Sequence, residues 1–131
     1  MGTGAYTHAQ IRAYKTAADY SSTGQYLFVK LSADDTVTTC DTKGESAIGV
    51  LKTASSSGKV AEVFMAAGGA LVECGEAISR NEQITTNSSG QAINPDSSGQ
   101  EIMGIALEAG DSGDVVGVQL NVAGETFAAE A

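Results

Sequence analysis

Apolar and polar positions in this chain alternate in short runs. KVAEVFMA (59–66) sets Val60, Glu62 and Phe64 on one side and Ala61, Val63 and Met65 on the other. That period of two is the mark of a half-buried strand. Four more runs precede or follow it closely: QYLFVKL (25–31), TVTTC (36–40), AIGVLKT (47–53) and ALVECG (70–75). A second group comprises EQITT (82–86), QAIN (91–94), EIMGIALEA (101–109) and DVVGVQLNV (114–122). All are rich in Val, Ile and Thr and are bounded by Gly, Ser, Asp and Asn clusters, which predicts strands separated by tight turns. The one proline, Pro95, sits in such a turn, NPDSSG. The pattern predicts an all-β chain folded as a small β-barrel or β-sandwich.

The runs repeat. IGVLKTASSSGKVAEVFM (48–65) aligns without a gap on MGIALEAGDSGDVVGVQL (103–120), at an offset of 55 that carries Gly49 to Gly104 and Ser57-Gly58 to Ser112-Gly113. The same offset carries Val29 to Ile84 and Val37 to Ala92. The unit is strand, loop, strand, turn and long hairpin, with copies at about 26–65 and 81–120 and residues 68–80 joining them. The Ser-Gly at each hairpin tip supplies the positive φ that a tight turn needs. Gly49 and Gly104 fit a bulge or sharp bend at a barrel corner. Two such hairpin repeats are expected to pack about a pseudo-twofold axis into one barrel.

Residues 1–24 break the pattern. They hold Tyr6, Tyr14 and Tyr20, the sole histidine (His8), and Arg12 and Lys15. Alanines at 9, 13, 17 and 18 favour a helix, but the apolar spacing is a loose stripe. The stretch reads as an N-terminal arm, helical or extended. The organisation is then an arm (1–24), a β-barrel domain (25–122) and a C-terminal tail (123–131).

Composition narrows the function. Small residues dominate, Trp is absent and the 131 residues carry a net charge of −9. A core poor in aromatics buries little area per residue, so the chain gains from oligomerisation or from docking on a partner. The negative charge, with seven scattered basic residues, argues against nucleic acid or an anionic membrane as partner. No run approaches the ~20 apolar residues of a membrane-spanning helix, and residues 1–20 carry no signal-peptide core. Cys40 and Cys74 form no CxxC pair and are expected as reduced, partly buried thiols of a cytosolic product.

Catalytic patterns are missing. His8 stands alone in the arm, without the scaffold that a nucleophile–base pair requires. His8, Cys40 and Cys74 lack the spacing of a zinc site. SSSGKV (55–60) has Thr53 where a P-loop has its first glycine and Val60 where it has Ser or Thr, so it is a hairpin turn. Asp34-Asp35 and GDSGD (110–114) lack the order of a calcium loop and fit solvated turns. The expectation is a non-enzyme with no cofactor and no metal.

The second half, GALVECGEAISRNEQITTNSSGQAI leading into EIMGIALEAGDSGDVVGVQL, resembles the tailed-phage capsid cement (decoration) protein family. The family's marks fall on Gly75, Ile78, Gly90 and Ala92, then on Gly104, Ile105, Ala106, Leu107, Glu108, Ala109, Gly113, Asp114, Val118 and Leu120. LSADDTV and AIGVL, within 31–51, fit as well, so the resemblance spans roughly 25–120. Arg80-Asn81 replaces the expected Gly-Asp, and neither the arm nor the tail has a clear match. The resemblance implies a structural protein on the outer surface of a phage head. It would bind the major capsid protein, often as a homotrimer near a local threefold, and stabilise the expanded shell. Such a protein is located on the virion exterior and assembled in the host cytoplasm. Tyr6, Ile11, Arg12, Tyr14 and Tyr20 are the expected partner-binding residues, because aromatic and Arg side chains concentrate binding energy. The alternative is a β-barrel module binding ligands or glycans on a virion or cell surface. A hydrolase would need a convergent carboxylate pair in a pocket.

Overall fold

The computed structural model describes residues 10–65, 68–121 and 126–128. Ten strands follow one another. The first five are β1 (Gln10–Thr16), β2 (Phe28–Ala33), β3 (Thr36–Thr39), β4 (Gly49–Leu51) and β5 (Val60–Met65). The second five are β6 (Gly69–Glu73), β7 (Gln83–Thr86), β8 (Ala92–Ile93), β9 (Gly104–Ala106) and β10 (Val115–Leu120). The chain is all-β and barrel-forming, and each alternating run of the sequence coincides with one of β2–β10.

The first five strands form a closed barrel in the order β1-β3-β2-β4-β5. The second five form a sheet in the order β6-β10-β9-β7-β8. These are the same order. Replacing each strand of the second set by its counterpart gives β1-β5-β4-β2-β3. Only the closure differs. Parallel pairs Lys15–Thr36 and Thr16–Val37 shut the first barrel. The second is a half-barrel sheet, with a single isolated parallel bridge, Cys74–Ala92, at the same place. This bridge is the exact counterpart of Thr16–Val37, with the first strand offset by 58 residues and the others by 55.

The pairing register recurs between the two halves. Gly49, Val50 and Leu51 face Met65, Phe64 and Val63, and Gly104, Ile105 and Ala106 face Leu120, Gln119 and Val118. Loop hydrogen bonds recur as well. Tyr26 N–H donates to Leu51 O at 2.7 Å, and Asn81 N–H donates to Ala106 O at 2.8 Å. Tyr20 N–H donates to Ser55 O at 2.7 Å, and Ile78 N–H donates to Gly110 O at 2.8 Å. Left-handed backbone recurs at Tyr26 and Asn81, Asp35 and Gly90, Gly44 and Gly99, and at the hairpin tips Gly58 and Gly113. Gly49 and Gly104 answer to close approach rather than to a bulge: a Cβ there would collide with the carbonyl oxygens of Phe64 and Gln119.

Each copy therefore builds its own five-stranded unit instead of sharing one barrel. The reason is its first strand. β1 pairs antiparallel with β5 over six residues, and β6 pairs with β10 in the same way. Residues 69–73, expected in a joining segment, are the first strand of the second copy.

Side chains follow from the strand period. In the first barrel Tyr14, Tyr20, Val29, Val37, Leu51, Ala61 and Val63 form an interior cluster. On the other face of the same strands, Phe28, Val50 and Phe64 are buried against the second unit, whose Ala70, Val72, Met103 and Leu120 share their cluster. The counterparts of that outer face, Gln83, Ile105 and Gln119, are exposed. The expected pseudo-twofold is thus replaced at the contact by a head-to-tail arrangement: different faces of the two copies meet. Main-chain hydrogen bonds clamp the junction, from Phe28 N–H to Gly90 O at 2.7 Å and from Glu73 N–H to Tyr26 O at 2.8 Å. Lys43 adds an ion pair to Asp96 at 2.5 Å.

Candidate functional site

The stretch expected as an arm enters the barrel at Gln10 as β1. Alternation then dictates the fate of its side chains. Tyr14 and Thr16 point inward and are 8% and 2% exposed. Tyr20 is also buried; its hydroxyl meets that of Thr38 at 3.0 Å and accepts the N–H of Thr39 at 3.0 Å. Ile11 and Arg12 remain at the surface, Ile11 41% exposed, with the Arg12 guanidinium 5.6 Å from the centroid of the Tyr14 ring. Tyr6, like His8, lies outside the described residues. Of the five expected anchors, then, Ile11 and Arg12 stay exposed, on opposite faces of β1, whereas Tyr14 and Tyr20 are buried in the interior cluster of the first barrel.

Sequence reasoning missed a second apolar surface. Ile105, Leu107 and Val115 are exposed on β9, β10 and their connection. The repeat carries a signal for it: Ile105 takes the place of buried Val50, and Leu107 that of Lys52.

Carboxylates are engaged locally. Asp114 accepts the N–H of Asp111 at 2.9 Å and so closes its own turn. Lys30 bridges Asp41 and Glu45, both at 2.8 Å, which holds the Asp41 carboxyl below its ordinary range. Among the described residues no three His, Cys, Asp or Glu side chains converge as metal ligands. Cys40 and Cys74 are free, buried thiols. Desolvation pushes them up to about 12 and about 11, so both are protonated and unreactive near neutrality.

Between the two barrels lies an open cleft of about 450 Å³. The loop preceding β2 forms one wall, with Ser22, Thr23 and Tyr26, and the second unit forms the other, with Glu73, Ser89 and Gln91. Gln91 Nε2 donates to Glu73 Oε2 at 2.6 Å, and Asn87 Nδ2 donates to Gln91 Oε1 at 3.1 Å. The main-chain bonds of the junction run beneath it.

No family model matches the chain, and no curated protein matches it. Among solved structures, its fold is similar to that in the crystal structure of the head fibre gp8.5 N base of bacteriophage phi29. The TM-score is 0.67 at 16% sequence identity, over 86% of this chain and 94% of that one. At this identity the likeness bears on the fold alone, here an all-β tandem of a closed barrel and a five-stranded half-barrel sheet.

Proposed function

We propose that this chain is a non-enzymatic structural protein of a phage head, docked on the capsid exterior as a cement or decoration protein. The observation that carries the reading is the fold likeness to a head fibre base over nearly the whole of both chains. The cement-family marks within 25–120 point the same way. The physics is compatible with such a role. Two barrels clamped by main-chain bonds and a shared apolar cluster make a stiff block. A capsid presents many copies of one site, so modest contacts per copy accumulate through avidity, further if the protein is a trimer. Ile11 and Arg12 are the proposed contact residues toward the major capsid protein, since β1 leaves them exposed beside the N-terminal segment.

Co-sedimentation of the full chain with purified, expanded heads that lack it tests the reading. Saturable binding is expected, with Ile11→Asp/Arg12→Glu lowering affinity about tenfold or more, as loss of an interface hot spot does. Absence of saturable binding by the wild-type chain overturns the proposal. Unchanged binding by the double variant rejects the assigned contact.

A further inference from the structure

We propose that the cleft between the two barrels binds a neutral oligosaccharide. This inference stands apart from capsid docking and uses a different surface.

The internal repeat supplies the control. Tyr26 adopts φ +68° and Asn81, its counterpart, φ +73°. The turn demands a left-handed residue in both copies. Asn tolerates that conformation, whereas a residue with a bulky side chain pays roughly 1–2 kcal/mol there. The first copy nevertheless carries tyrosine, and that tyrosine lines the cleft. An aromatic held at a strained position beside a cavity is better explained by a ligand than by the turn.

The lining has the chemistry of sugar recognition. Tyr26 brings an aromatic ring to the lining, the kind of group that stacks on the C–H side of a pyranose. Ser22, Thr23, Tyr26 and Ser89 bring four hydroxyl groups to the lining. Gln91 and Glu73, already hydrogen-bonded to each other, present fixed amide and carboxylate groups. A pocket of a few hundred Å³ with a small set of oriented polar groups suits a di- or trisaccharide. The junction beneath, with bonds of 2.7 and 2.8 Å from Phe28 to Gly90 and from Glu73 to Tyr26, preforms the site. No Lys or Arg lines the cleft and Glu73 does, so acidic sugars and phosphates are disfavoured.

The test uses the isotope-labelled full chain and amide NMR shifts on titration with maltotetraose, cellotetraose, tetra-N-acetylchitotetraose and sialyllactose. At least one neutral sugar is expected to shift the amides of Tyr26, Glu73 and Gln91 saturably, and sialyllactose is expected to leave them unmoved. Tyr26→Asn installs the residue of the second copy, so it should fold with equal or higher melting temperature while weakening binding about fivefold or more. Gln91→Ala should weaken it similarly. The proposal is overturned if no neutral sugar shifts these amides at 10 mM, if the shifts map elsewhere, or if Tyr26→Asn folds and binds as the wild type does.

Discussion

The two barrels share a backbone and differ in what fills it. In the first, Tyr14 pairs across strands with Ala61; in the second, Val72 pairs with Val116. Leu51 and Val37 of the first correspond to Ala106 and Ala92 of the second. Most of these interior positions carry smaller residues in the second copy while the hydrogen-bond scheme persists, because side-chain size varies more freely than strand register, whose slip would turn every side chain to the other face. The outer faces differ more. Phe28, Val50 and Phe64 make the first barrel's outer face apolar, and it covers the second unit. Gln83, Ile105 and Gln119 leave the second unit's face in solvent. The outer face of the first copy thus caps the second, while the equivalent face of the second stays in solvent. The capped copy is also the half-barrel sheet, with only the single isolated bridge at the place of closure.

Removing the cap should have the largest effect. Phe28→Ala empties a fully buried position at the junction and is expected to cost about 3–5 kcal/mol in urea unfolding. It should also split one transition into two, the second unit melting first. A single transition with a small midpoint change would show that the barrels do not depend on this contact.

Gly49→Ala and Gly104→Ala probe what the copies have in common. Each new methyl meets a partner-strand carbonyl, so each should cost about 1–3 kcal/mol, and by similar amounts. A large cost at one site and none at the other would break the equivalence of the hairpins.

The buried thiols report on pH. Their folded values, about 12 and about 11, lie above the ordinary 9.0. The unfolded thiol therefore ionises first: stability is level below pH 9 and falls as pH rises toward the folded values. Between pH 9 and 10 the loss should be about 1 kcal/mol per thiol, read from urea midpoints. Cys74→Ser places a hydroxyl where the first barrel has Thr16 and should remove that thiol's share of the slope.

Tyr20→Phe should have the smallest effect. It deletes the hydroxyl that meets Thr38 and Thr39, for about 1 kcal/mol. Ile78, at the equivalent place, makes no such bond, so Ile78→Val should cost a similar amount through packing alone.

Local chemistry made most of the fold legible. KVAEVF alternates as a strand because successive side chains point to opposite faces, and Ser-Gly at 57–58 and 112–113 marks hairpin tips because glycine accepts positive φ. The internal repeat was visible for the same reason: turns and close approaches tolerate few residue types, so Gly49/Gly104 and Gly58/Gly113 match. β1 was hidden. QIRAYKT shares almost nothing with its counterpart GALVE, lies among good helix formers and owes its conformation to pairing with β5 about fifty residues on. Tyr14 and Tyr20 therefore looked like free anchors and are core. The cleft was hidden too, since Tyr26, Glu73 and Gln91 are distant in sequence and meet only where the barrels do. Strand period and turn chemistry are local and can be read along the chain. The partner of each strand, the face that becomes a junction and the groups that converge beside it depend on long-range contacts, which no local pattern encodes.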